Sequence, residues 1–171
     1  TSIGLASLAL FVALQLRHWI NDGVIFGGRF TLADMATQSI AALGFAIGLQ
    51  IVAKRSTTNI FKNASYVVGG LSLLVTGLGL LVFYNPVFTN DNVGETVLVN
   101  LLLPGFFITA ILAAIVAYMA RPIRPRPYTL AYAALSGLLL FTFVSATTRH
   151  AFQGGMIGFF KGTSDLEFWT Y

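Results

Sequence analysis

The chain has 171 residues, of which 56% are hydrophobic and 9% charged, and its mean hydropathy is +0.80. Soluble domains carry about 25% charged residues, so this composition excludes a soluble globular fold and indicates a protein that lies in lipid. The sequence has no cysteine, which excludes disulfides, thiolate catalysis and cysteine-ligated metals. Its net charge of +4 could suggest nucleic acid, but no Lys/Arg run alternates with aromatic residues, and membrane topology explains the charge better. No nucleic-acid partner is expected.

Hydropathy predicts five membrane-spanning helices. The first apolar run is slightly short for a bilayer core of about 30 Å unless the next four residues add a turn. A kink is expected at Pro104-Gly105, and the proline-rich stretch from Arg121 to Pro127 is expected to be non-helical. In chain order, the apolar segments run from Ile3 to Leu16, Ala33 to Ala53, Ala64 to Tyr84, Val97 to Met119 and Tyr128 to Thr148.

Aromatic residues near the end of the chain, Phe168, Trp169 and Tyr171, are typical of a membrane interface and indicate the start of a sixth helix. The predicted fold is therefore an all-α, polytopic transmembrane helical bundle, with residues 1–171 as a single transmembrane region. Because the chain begins without Met and stops where an apolar segment begins, we interpret it as part of a longer protein.

Basic and acidic residues alternate between the two sets of loops. The positive-inside rule places the basic loops and the N-terminus of the chain in the cytoplasm, and the acid-rich loops in the periplasm of a bacterial inner membrane. The basic loops have six cations and no acid: Lys54, Arg55, Lys62, Arg121, Arg124 and Arg126. Among these, the expected contacts with anionic phospholipid are Lys54, Arg55, Arg121, Arg124 and Arg126. The other loops hold every acid: Asp22, Asp34, Asp91, Glu95, Asp165 and Glu167.

An Arg-His pair closes an apolar run twice, at Arg17-His18 and at Arg149-His150. A Gly-containing loop follows each pair, and the two copies start near residues 5 and 137. Four predicted spans separate the pairs, so the copies would be parallel repeats related by an axis along the membrane normal.

These pairs and the nearby acids are the best candidates for chemistry. Arg offers a planar fork for phosphate or carboxylate, and His can move a proton near neutral pH. Equally, an Arg at a helix end reaches lipid phosphate, and a repeated anchor would recur as faithfully as a repeated site. The candidate catalytic residues are Arg17, His18, Arg149, His150, Asp22, Asp165 and Glu167.

Other motifs indicate no cofactor and no metal. The two histidines form no HxxxH or HxH pattern, and the Gly-Gly pairs lack a nucleotide-binding framework. Asp34 stands where it would cap the second helix. Gln38 and Gln50 could line a pathway or make interhelical hydrogen bonds.

The helix-end pattern resembles the bacterial predicted membrane proteins of domain of unknown function 2339. The resemblance covers both ends of the chain, and it extends to the middle only through hydropathy. Asn21-Asp22 before Gly23 loosens the motif in the first copy. The resemblance implies an integral inner-membrane protein, of which this chain is a late portion, and carries over no catalytic residue. The matching residues are Arg17, His18, Trp19, Gly23 and Thr37-Gln38-Ser39, then Arg149, His150, Phe152, Gly154 and Trp169-Thr170-Tyr171.

Two function classes remain. One is a cell-envelope protein that handles an anionic lipid or glycan on the periplasmic side, by transfer or transport. The other is a structural or assembly subunit of a membrane complex, in which the same residues anchor helices and contact other subunits. The sequence leaves open whether the protein is an enzyme. The two classes differ in whether Arg17, His18, Arg149 and His150 converge on one cavity.

Overall fold

The computed structural model describes residues 2–21, 23, 30–97, 99–159, 162 and 169. This part of the chain is helical and contains no strand beyond an isolated bridge between Asn92 and Met156. The elements in chain order are α1 (Ser2–Ile20), α2 (Leu32–Arg55), α3 (Asn59–Leu78), a π-helical segment (Gly79–Phe83), α4 (Pro86–Thr89), a second π-helical segment (Leu103–Ile108), α5 (Thr109–Ala120) and α6 (Arg126–Gln153).

Within the described residues, four helical stretches are long and apolar enough to cross a membrane: Leu32–Arg55, Asn59–Thr89, Leu103–Ala120 and Arg126–Gln153. They confirm the all-α, polytopic class. The fifth span at α1, and with it the total number of spans, stays a prediction. Of the aromatic residues that would open a sixth helix, Phe168 and Tyr171 lie outside the described residues, so that helix stays a prediction.

Several predicted helix boundaries are wrong, and prolines explain two of the errors. The fourth predicted helix begins at Leu103 instead of Val97, so Pro104 lies in a first turn, where its missing N–H costs nothing, and not at a mid-helix kink. Pro127 likewise lies in the first turn of α6, which begins at Arg126 inside the stretch predicted to be non-helical. Helix α3 begins at Asn59, five residues before the predicted start at Ala64.

Helix α2 is central to the fold, since it packs against α1, α3, α5 and both π-helical segments, while α5 packs against α6. Small buried residues such as Ala46, Ala110 and Ala113 let these helices approach closely. Polar side chains bridge the helices: the Tyr132 hydroxyl donates to the Gly69 carbonyl oxygen at 2.6 Å, and Ser136 Oγ donates to the Ala110 carbonyl oxygen at 2.9 Å.

The two π-helical segments flank the first turn of α2, and each presents a glycine to it. A Cβ on Gly79 would lie 2.2 Å from Met35 Cε, and a Cβ on Gly105 would lie 3.7 Å from Leu32 Cδ1. The Tyr84 N–H donates to the Gly79 carbonyl oxygen five residues back, at 2.8 Å. The sequence predicted helix in both places, with a kink at Pro104-Gly105 in the second, and gave no sign of the π-helical turns.

The helix ends collect at two poles. The cationic end comprises the α2–α3 and α5–α6 connections, with Lys54, Arg55, Lys62, Arg121, Arg124 and Arg126. The loop end comprises residues 17–21, 23, 30–34, 84–97, 99–101 and 149–159. Ring contact between Phe30 and Tyr84, with centroids 4.9 Å apart, ties two segments of the loop end together.

Candidate functional site

At the loop end, the segment after α6 folds back onto residues 87–94. The Val93 N–H donates to the Gly155 carbonyl oxygen at 3.0 Å, and the Phe159 N–H donates to the Val87 carbonyl oxygen at 2.7 Å. The Gly158 N–H donates to Asn90 Oδ1 at 2.9 Å. These bonds hold the segment that follows α6 against the connection between α3 and α5.

Glycines permit this close approach. A Cβ on Gly155 would lie 2.6 Å from Asn92 Oδ1, and a Cβ on Gly158 would lie 2.3 Å from Asn90 Oδ1. Gly154 has a φ of 75°, which side-chain-bearing residues rarely adopt. The Gly154-Gly155 pair therefore has a structural explanation.

The second Arg-His pair belongs to the last turns of α6, which continues to Gln153, five residues beyond the predicted end at Thr148. His150 is 2% exposed, and its Nε2 lies 2.7 Å from the Gly94 carbonyl oxygen. Because a carbonyl only accepts, Nε2 is the donor in this contact. Nδ1 is buried and has no hydrogen-bond partner in the described part of the chain. Arg149 Nη2 donates to the Gly158 carbonyl oxygen at 3.0 Å.

The first pair lies at the junction of α1 and α2. The Arg17 guanidinium lies over the Phe30 ring, with Cζ 5.3 Å from the centroid. The Arg17 carbonyl oxygen accepts from both the N–H and the side-chain Nδ2 of Asn21, each at 3.1 Å. His18 is exposed, as is its neighbour Trp19. This exposure suits contact with a membrane interface.

Asp34 caps α2, as the sequence predicted. Its carboxylate accepts from the Thr31 N–H at 2.9 Å, from Thr31 Oγ1 at 2.8 Å and from Asn21 Nδ2 at 2.7 Å. The side chain is fully buried. It therefore joins the end of α1 to the start of α2, close to the first Arg-His pair.

The remaining candidates, Asp22, Asp165 and Glu167, lie outside the described residues. A cavity shared by both pairs and these acids stays a prediction. In the described residues, no three His, Asp or Glu side chains come together as a metal site would require.

A cleft opens at the cationic end, between the end of α2, the start of α3 and the α5–α6 connection. It has a volume of about 240 Å³ and is lined by Ala53, Lys54, Lys62, Ile123 and Arg124. A neighbouring cleft of about 450 Å³ is lined by Arg121, Arg124, Arg126, Thr129 and Leu130. The structure thus brings together four of the five expected lipid contacts and adds Lys62; Arg55 lines neither cleft. Apart from its charge, nothing in the sequence indicated that Lys62 would line this cleft.

Arg124 is the side chain common to both clefts. Its Nη2 donates to the Lys62 carbonyl oxygen at 3.0 Å and to Ser65 Oγ. Its Cζ lies 5.1 Å from the centroid of the Tyr66 ring, which in turn stacks on Tyr128 with centroids 5.3 Å apart. Arg124 therefore ties the α5–α6 connection to α3.

The two glutamines have different surroundings. Gln38 Nε2 donates to the Ala13 carbonyl oxygen at 2.7 Å, which confirms an interhelical hydrogen bond between α2 and α1. Gln38 also borders an apolar groove of about 220 Å³ between α1, α2 and α3. Gln50 is fully buried, beside the Tyr128 hydroxyl.

The model of a protein family described as "Predicted membrane protein (DUF2339)" matches residues 1–164. The match confirms the resemblance read from the helix-end motifs. No curated protein and no solved structure matches the chain.

Proposed function

The chain belongs to this family of predicted membrane proteins, and from that premise we propose that it is a structural component of a bacterial inner-membrane assembly. The bonds of Arg149 and His150 to backbone carbonyl oxygens of the loop end are the observation that supports this proposal. They support a role for Arg149 and His150 in holding the loop end closed.

The geometry of His150 argues against acid-base work. A general base needs a lone pair within hydrogen-bond reach of the proton it removes. In His150, Nε2 is engaged by the Gly94 carbonyl oxygen, and Nδ1 is buried. Removing the ring would take this donor away from the half-buried Gly94 carbonyl oxygen, which costs about 0.5–1.5 kcal/mol. A structural role thus explains why a histidine stands here in an apolar helix.

His150→Gln and His150→Ala, made in the full-length protein, test the proposal. The Gln amide nitrogen can take the place of Nε2 and donate to Gly94, but it cannot exchange a proton near neutral pH. We expect His150→Gln to keep the thermal midpoint in detergent to within a few degrees and to complement a deletion strain, while His150→Ala loses abundance and stability. A well-folded His150→Gln protein that fails to complement would contradict the proposal and favour handling of an anionic lipid or glycan.

We also propose that the cationic end faces the cytoplasm and the loop end the periplasm, because the basic loops carry six Lys and Arg residues against four in the segments between the other helix ends. These four are Arg17, Arg29, Arg149 and Lys161. Since the chain has no cysteine, single cysteines report on the side without background in a cysteine-free full-length protein. Thr57 and Glu95 are exposed at opposite poles. Thr57→Cys should react with a membrane-impermeant maleimide only after lysis, and Glu95→Cys in cells with a permeabilised outer membrane. The reverse pattern would overturn the orientation.

A further inference from the structure

We infer that the cleft lined by Lys54, Lys62 and Arg124 is a site for one phosphate group, either the head-group phosphate of an anionic phospholipid or a free phosphate monoester. This assignment is separate from the structural role proposed for the loop end. It also differs from a diffuse attraction of basic loops to the membrane, since it specifies one ligand group and three contacting side chains.

The charge of the cleft has no carboxylate to balance it. No Asp or Glu occurs between Asp34 and Asp91 or between Glu95 and Asp165, so neither segment that lines the cleft carries an acid. Three cations that surround one cavity repel each other, and an anion bound among them relieves that repulsion. The charge pattern therefore selects an anionic ligand.

Arg124 is held in place before any ligand arrives. Its Nη2 bonds to the Lys62 carbonyl oxygen and to Ser65 Oγ, and its guanidinium lies over Tyr66. Its Nε is buried and makes no hydrogen bond within the described part of the chain. A guanidinium fixed in this way loses little conformational entropy on binding, and its planar donors match the oxygens of phosphate.

The other lining residues fit the same ligand. Lys54 and Lys62 are exposed, and their ammonium groups act as mobile point charges that bind phosphate without demanding one geometry. Ala53 and Ile123 provide apolar wall. The volume of about 240 Å³ lies below the roughly 300–1,000 Å³ of pockets for drug-sized ligands, so the cleft suits a phosphate with part of its ester.

The position of the cleft favours a lipid as the source of the phosphate. Lys54 lies in the last turn of α2, and Arg124 lies two residues before α6 begins. Both helices are long and apolar enough to span a membrane, so their ends lie at the depth of the head groups. A phospholipid can present its phosphate to the cleft while its chains stay in the bilayer.

The test is lipid retention by the full-length protein, measured by native mass spectrometry after purification from nanodiscs that contain phosphatidylglycerol and phosphatidylcholine. We expect one retained phosphatidylglycerol in the wild type and about tenfold weaker retention in Arg124→Gln, the loss typical of a charge-assisted hydrogen bond. Arg55→Gln is the matched control, because it removes the same charge from the same pole outside both clefts, and we expect a change of less than about twofold. Equal losses in the two variants would show diffuse attraction and overturn the site.

Two further arms complete the experiment. If Arg124→Gln folds poorly, Lys62→Gln tests the same cleft, and we expect it to weaken retention more than Arg55→Gln does. Inorganic phosphate and glycerol 3-phosphate, added to protein in pure phosphatidylcholine nanodiscs, separate the two sources. A rise in thermal midpoint with either one, abolished in the cleft variants, assigns a free phosphate, whereas a response to phosphatidylglycerol alone assigns the lipid. No response to any of the three would overturn the inference.

Discussion

The two poles of the molecule use polar residues in opposite ways. At the loop end, Asp34, Asn90, Arg149 and His150 bond to backbone groups of the chain itself. At the cationic end, Lys54 and Lys62 surround an open cleft, and the connection between α2 and α3 is only Ser56 to Thr58. A long loop supplies carbonyl oxygens and N–H groups that satisfy side chains, whereas a short turn supplies few. As a result, the side chains of the loop end are bonded within the protein, whereas Lys54 and Lys62 at the cationic end remain available to a ligand.

The largest expected effect comes from opening the closed pole. Gly158→Ala would put a Cβ 2.3 Å from Asn90 Oδ1 and 2.7 Å from Asn90 Cβ, so the segment after α6 must move away. We expect a loss of about 3 kcal/mol in the free energy of unfolding, the upper end of the usual range for overpacking, since Asn90 Cβ lies close to the backbone and cannot swing away. Chemical unfolding in mild detergent measures it.

Gly137→Ala is the control for that substitution. Gly137 lies within α6, and a Cβ there would meet no atom within 4 Å. Alanine favours helix over glycine by about 1 kcal/mol, so this variant should be neutral or more stable. If both variants behaved alike, the close approach at Gly158 would not govern the loop end.

Substitutions of Asn90 should have an intermediate effect on stability, with separate contributions from a hydrogen bond and from backbone strain. Asn90 has a φ of 56° and accepts the Gly158 N–H through Oδ1. Asn90→Gly keeps the backbone conformation and loses the hydrogen bond, which should cost about 1 kcal/mol. Asn90→Ala loses the same hydrogen bond and adds left-handed backbone strain, so it should cost about 1 kcal/mol more than Asn90→Gly. Thermal midpoints of the two variants measure the difference, and equal midpoints would show that backbone strain contributes nothing here.

The smallest effect belongs to the cationic end and has the opposite sign. Lys54→Gln removes one of three like charges around the cleft. In detergent without anionic lipid, we expect it to stabilise the protein by only a few tenths of a kcal/mol, since Lys54 is exposed and solvent screens its charge. The gain should vanish at about 1 M salt, where the screening length is about 3 Å. Destabilisation at low salt would mean that Lys54 makes a favourable contact in the unliganded protein.

Much of the fold could be predicted from the apolar runs and the loop charges. They predicted the helical class, the approximate positions of the four helices that are long and apolar enough to cross a membrane, the cap at Asp34 and the grouping of six cations at one pole. The errors come from features that depend on tertiary contacts. Whether Pro104 kinks a helix or begins one depends on where the preceding residues fold, and hydropathy does not report this.

The candidate site was harder to predict, because its side chains bond to backbone groups. The sequence offered Arg149 and His150 as candidates for chemistry at the end of an apolar run, yet the structure shows them bonded to the carbonyl oxygens of Gly158 and Gly94. No residue type marks a carbonyl that will receive a side chain. For the same reason, the sequence did not predict that Lys62 contacts Arg124, since this contact is made by the backbone carbonyl oxygen of Lys62.

The π-helical segments beside α2 affect the direction in which the chain enters the loop end. A π turn spans one residue more than an α turn, and each residue of an α-helix advances by about 100° around the axis. The helices that contain Gly79–Phe83 and Leu103–Ile108 each carry such an extra residue just before they meet the loop end. Residues on the loop side of the extra residue are therefore rotated about the helix axis relative to their positions in a regular α-helix. An insertion or deletion at this level would change the direction in which the chain leaves each helix for the loop end, while the helix contacts nearer the cationic end stay in place.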